Sequence, residues 1–196
     1  MKHLKILGLL AVAAAALMAF AASASATTVT GPAGETNPVI HAVSEESAVA
    51  GTKHVLLHNP IAVIECESTA EGQVTNVGGT GKTASGALTS LSFSPCTNGW
   101  VVDVNIPGSL EIHGEAGNKG TLTSLGAKVT ATRFGLSCVY ETGAKDIGTV
   151  TGGNPATLHI NAAIEINTSL SSFLCGSAPA NWTGAYKTTG TIDIDQ

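Results

Sequence analysis

With 196 residues, 9 basic side chains against 14 acidic ones and a net charge of −5, the chain has no cationic cluster with which to hold nucleic acid or an anionic membrane electrostatically. Only 12% of it is charged, but 43% is apolar, which argues against intrinsic disorder. Four cysteines, 23 glycines and abundant Thr and Val point to a small, turn-rich β protein.

In chain order, residues 1–5 carry two lysines, and residues 6–20 follow without a charge. Small residues close that run, and Ala24-Ser25-Ala26 fits the small-x-small site that signal peptidase accepts. The pattern predicts a signal peptide over 1–26, with cleavage after Ala26. The run is shorter than the ~20 residues of a membrane span, and no cysteine precedes Cys66 to carry a lipid anchor. A secreted or cell-surface location is therefore expected, without stable membrane insertion after cleavage. Loss of Lys2 and Lys5 leaves the mature chain more acidic still. Residues 27–53 begin with a loop-like stretch over 31–38 and read as an N-terminal extension or an edge strand. A single β domain is expected over 54–196.

Short alternating or apolar runs separated by turn residues predict strands at 39–43, 54–57, 62–67, 73–76, 86–93, 100–105, 109–113, 120–124, 127–134, 136–141, 148–151, 156–166, 169–174, 185–188 and 191–194. Gly78-Gly79, Asn98-Gly99, Pro107-Gly108, Gly117-Asn118 and Gly152-Gly153-Asn154-Pro155 punctuate them. No amphipathic helix follows the leader. The class expected is all-β, an antiparallel sandwich or a barrel-like fold. Trp100, Val102, Val104 and Ile106 share one strand face, and Ile160, Ala162, Ile164 and Ile166 share another, which supplies a core.

Cys66, Cys96, Cys138 and Cys175 are an even set in an exported chain and read as two disulfides. Their wide spacing is unlike the close Cys pairs of a zinc site. Composition leaves three connectivities open. An internal repeat selects one. The segments starting at Trp100 and Trp182 both place Gly eight positions on, then a hydroxyl, a branched aliphatic, a carboxylate and an isoleucine. Upstream, Ser90-Leu91-Ser92 before Cys96 matches Ser169-Leu170-Ser171 before Cys175. Gly72-Gln73-Val74-Thr75 after Cys66 matches Gly148-Thr149-Val150-Thr151 after Cys138. Two units over about 54–113 and 127–195 are expected, each closing its own bridge: Cys66–Cys96 and Cys138–Cys175. Each bridge would stabilise the fold by about 3.5–4 kcal/mol.

Reactive chemistry is sparse. Gly78-Gly79-Thr80-Gly81-Lys82-Thr83 ends like a phosphate-binding loop, but Asn76 occupies the position of that motif's first glycine and a strand follows where a helix is needed. It reads as a glycine-rich hairpin loop. His54 and His58 lack the glutamate of a zincin helix, and His41, His113 and His159 are scattered through strand-like runs. Glu65 and Glu67 flank Cys66 with one residue between them. Asp193, Asp195 and Glu111 are possible calcium ligands without an EF-hand loop. A Gly-x-Ser-x-Gly elbow is missing. Trp100 and Trp182 are either sugar-stacking platforms or, as is favoured here, core residues near the disulfides.

The leader, Val63-Ile64-Glu65-Cys66, Ser92-Phe93-Ser94-Pro95-Cys96, Ala131-Thr132-Arg133-Phe134-Gly135 and Asp146-Ile147-Gly148-Thr149-Val150-Thr151-Gly152-Gly153 resemble a group of uncharacterised secreted four-cysteine proteins of actinobacteria. The resemblance covers nearly the whole chain and implies a bacterial exported protein. It brings no catalytic residue with it. The expectation is a secreted or cell-surface, non-enzymatic structural or interaction protein without a cofactor, touching envelope or matrix components or polysaccharide. A carbohydrate-binding module is the alternative, and a small secreted hydrolase a third.

Overall fold

Alternating side chains along short runs produce strands almost wherever the sequence alternates. The computed structural model describes residues 26–45, 55–79 and 83–196. The expected leader before Ala26, His54 and Thr80-Gly81-Lys82 lie outside the described residues. The strands are β1 (Thr28–Thr30), β2 (Val39–Ser44), β3 (Val55–Asn59), β4 (Ala62–Gln73), β5 (Thr75–Asn76), β6 (Ala84–Cys96), β7 (Val101–Ile106) and β8 (Ser109–Glu115). They continue as β9 (Lys119–Leu125), β10 (Lys128–Arg133), β11 (Leu136–Glu141), β12 (Ala144–Thr151), β13 (Thr157–Ile166), β14 (Ala180–Thr188) and β15 (Asp193–Asp195).

Every strand pairing is antiparallel. β2, β4, β6, β8, β9, β12, β13 and β14 hydrogen-bond in a ring that closes on itself. β3, β4, β6, β7, β10, β11, β13 and β14 close a second ring. The long strands β4, β6, β13 and β14 belong to both, so the rings are two storeys of one barrel. At its other four positions two shorter strands stand end to end: β2 with β3, β8 with β7, β9 with β10, and β12 with β11. Each of the twelve strands in these rings is paired on both sides, so the barrel wall has no free edge strand among the described residues.

Three of these end-to-end joins lie side by side at Pro107-Gly108, Gly126-Ala127 and Thr142-Gly143. Gly108, Gly126 and Gly143 all have positive φ, +76°, +74° and +61°, a backbone that side chains with a Cβ rarely adopt. Cross-links stitch the belt: the Gly126 amide donates to the Gly143 carbonyl at 2.8 Å, and the Thr142 amide to the Ala127 carbonyl at 3.0 Å.

Inward side chains divide into two packed groups, one per storey. Val29, Ala42, Ile112, Leu122, Val150, Ile160, Tyr186 and Ile194 are buried in one. Leu57, Ile64, Trp100, Tyr140, Ile164 and the half-cystines Cys66, Cys138 and Cys175 are buried in the other. Phe93 and Trp182 touch both groups and meet edge to face, with ring centroids 6.2 Å apart.

The all-β expectation and both disulfides are present: Cys66–Cys96 between facing residues of β4 and β6, and Cys138–Cys175 between β11 and the turn after Ser172. Three expectations are corrected. The strand at 39–43 is no edge, because β2 lies between β14 and β4, bonded to each. Residues 169–174 form turns leading into a short 3-10 helix, Phe173–Cys175, instead of a strand. Gln73 ends β4 instead of starting a strand, since Val74 breaks the run. Of the segments aligned in the repeat, 90–96 is therefore strand and 169–175 is not. Downstream, β7 and β8 share one position of the barrel wall, whereas β14 spans both storeys and β15 pairs with β1 outside it; Ile112 and Ile194 are both buried.

Candidate functional site

The reactive residues disperse on folding. His41 Nδ1 stands 3.4 Å from Glu71 Oε2, and His113 Nε2 stands 3.8 Å from Glu111 Oε2, both at the protein surface. His58 and His159 are exposed on the outer wall. Asn118 Nδ2 donates to Asp193 Oδ1 at 3.2 Å and Glu111 faces His113, and among the described residues Glu111, Asp193 and Asp195 form no ligand set. Among the described residues no three His, Cys, Asp or Glu side chains gather as a metal requires. The segment ending Gly78-Gly79 leaves a strand paired with β6, through Thr75↔Ser85 and Asn76↔Ala84, which gives it the hairpin-loop setting.

Trp100 is buried and Trp182 partly buried, both packed against the core groups. Trp100 is 6% exposed. Trp182 follows the alternation of β14, in which Ala180, Tyr186 and Thr188 also point inward, and it lines an interior cavity. Its Nε1 is buried with no partner in hydrogen-bond geometry, yet it lies near enough to the Tyr186 phenol to favour the ionised form of that group. In so aromatic-poor a chain, each indole fills space that nothing else could.

Two apolar cavities occupy the storeys, about 40 Å³ and 70 Å³. Small residues leave the larger one unfilled: Ala42, Ala70, Gly72, Ala84, Gly86 and Ala156 all border it. Several inward polar groups pair with one another, whereas Trp182 Nε1 and Arg133 Nε are buried without a partner in hydrogen-bond geometry. Tyr186 donates to Ser68 Oγ at 3.0 Å, and the Ser68 amide donates to Ser44 Oγ at 2.8 Å. Asn59 Nδ2 donates to the Tyr140 hydroxyl. Burial raises the pKa of both phenols, and these hydrogen bonds oppose it in part. At the wall, hydrogen bonds from Lys128 and Asn167 hold Glu141 below the usual carboxylate range.

The two ends of the barrel differ. One, the clasp end, is closed by β1 paired with β15. The other, the loop end, carries four connections: 60–61, 97–100, 134–135 and 167–179. These contain no Asp, Glu or Lys. Both disulfides lie in this storey. Cys138–Cys175 fixes the long connection to β11, with further bonds from the Ser172 amide to the Ser137 carbonyl at 2.8 Å and from the Val139 amide to Ser171 Oγ at 2.8 Å. From this fastened frame Phe134 is 93% exposed, Phe173 89%, Leu174 60% and Leu170 58%. Phe134 also has φ +49° in a two-residue hairpin turn, a conformation that favours Asn or Gly. A bulky apolar residue is thus held in an unfavourable backbone and in water at once. Arg133 stands behind it, with Cζ 4.8 Å from the Phe134 ring centroid and 5.9 Å from that of Trp100.

Sequence reading missed this face because it assigned 134 and 169–174 to strands. The available signal was Phe-Gly between two strands, where Asn-Gly is the usual turn.

The fold and this face define an all-β, doubly disulfide-bonded barrel with an apolar loop end. No family model, curated protein or solved structure matches the chain.

Proposed function

We propose that this chain is an exported, non-enzymatic contact protein whose barrel is a rigid mount and whose loop end is the working surface. The observation that carries the reading is the near-complete exposure of Phe134 and Phe173 on turns fastened by disulfide and backbone bonds. A chain with few aromatic residues keeps two of its four phenylalanines out of its own core. Side chains left largely in water, one of them in a strained turn, are explained by what they meet elsewhere. The leader pattern and two disulfides support export to an oxidising space, and among the described residues no helix is long and apolar enough to cross a membrane. The likeness of 100–112 to 182–194 supports descent by internal duplication, with later divergence upstream.

The test is adsorption of the mature protein to lipid vesicles, insoluble polysaccharides and itself, compared with the Phe134→Asn/Phe173→Ser variant. Binding to at least one surface, lost in the variant while the melting temperature holds, is the expected result. Equal behaviour of the two proteins across the whole panel would refute the reading.

A further inference from the structure

Resting on that contact reading, we infer that the loop end docks on the interfacial zone of a lipid bilayer, placing Phe134, Phe173, Leu170 and Leu174 among the acyl chains. Three observations select lipid over other occupants. First, the apolar side chains are convex prongs, with Phe134 and Phe173 open on nearly every side. A protein partner would need a pocket shaped for each prong, whereas a fluid acyl layer closes around any shape. Second, charge is partitioned. The chain is acidic, but the four loop-end connections hold no carboxylate, while Glu115, Asp193 and Asp195 stand at the clasp end. A carboxylate carried into the headgroup layer opposes docking, and the four connections would carry none. Third, Arg133 stands beside the prongs, with Cζ 4.8 Å from the Phe134 ring centroid, where a snorkelling guanidinium meets lipid phosphate.

The frame also suits this role. Loops that must be ordered on binding weaken it, and here the disulfide and backbone bonds to β11 have ordered the longest one beforehand. Attachment is shallow and is driven by apolar burial, because a chain of net charge −5 gains nothing from an anionic surface. Salt therefore leaves docking nearly unchanged.

The experiment is flotation of the mature protein with phosphatidylcholine vesicles, at low and high salt and with added phosphatidylglycerol. Depth is read from a Phe134→Trp variant with lipids brominated along the acyl chain. The expected result is salt-insensitive binding to phosphatidylcholine, blue-shifted emission, and quenching by bromine. The Phe134→Asn/Phe173→Ser variant should bind about a hundredfold more weakly, roughly tenfold per ring removed. Phe134→Asn alone should weaken docking while the melting temperature stays level or rises, since Asn suits the turn. That opposition separates a docking residue from a structural one. Absence of flotation, or an introduced indole whose emission bromine leaves unchanged, overturns the lipid assignment. If polysaccharide binding or self-association then still depends on Phe134 and Phe173, the contact reading survives without it. If nothing binds, both fall.

Discussion

The loop end and the clasp end close the same barrel by different means. At the loop end, two disulfides tie β4 to β6 and the long connection to β11. At the clasp end, amide side chains substitute for backbone. Asn76 Nδ2 donates to the Val29 carbonyl and its Oδ1 accepts from the Val29 amide, both at 2.8 Å, as a neighbouring strand would. Asn118 Oδ1 accepts from the Ile194 amide at 2.7 Å, and Thr27 Oγ1 from the Gly114 amide at 2.8 Å. Hydrogen bonds suffice where the end only has to stay shut. Covalent bonds stand where exposed apolar side chains must be held in water without collapsing inward.

Breaking the comparison at its strongest point gives the largest effect. Cys138→Ala/Cys175→Ala should lower the unfolding free energy by about 3.5–4 kcal/mol, measured by urea denaturation. Hydrogen exchange should show β10 and β11 opening before β8 and β9. Simultaneous loss of protection in both storeys would mean that the ends are not independently secured. At the other end, Asn76→Ala leaves the Val29 amide and carbonyl without their partner and should cost about 1–3 kcal/mol. In that variant β1 should lose protection first.

A gain sharpens the comparison further. Ala42→Val points into the larger cavity and should stabilise the clasp storey by about 0.5–1 kcal/mol, seen as a raised melting temperature. The smallest effect is acid-linked. Glu141, 2.7 Å from Lys128, has a lowered folded-state pKa, so its contribution is complete above the ordinary carboxylate range and disappears as pH falls through the lowered value. Glu141→Gln should cost about 0.5 kcal/mol near neutrality and nothing in acid. A cost unchanged by acid would show that the Lys128 pair is not its source.

Most strands were legible because alternation writes them directly. β10 and β11 fall within two residues of their sequence assignment, and β13 within one. β1 was not, as three residues carry no period and its partner lies at the other end of the chain. Residues 169–174 were misread because Leu170, Phe173 and Leu174 look like the buried side of a strand. Hydrophobicity reports a preference for leaving water, not whether the fold itself supplies the shelter. The loop-end face draws on connections scattered from residue 60 to residue 179, so only closure of the barrel assembles it.

That closure has a consequence for incomplete chains. β14 bonds to β13, β2 and β3, so a polypeptide cut before Ala180 cannot seal its cylinder. It would present raw flanks of β2, β3 and β13 as templates for other molecules. Shortened or half-delivered copies should therefore precipitate rather than persist as a smaller folded product.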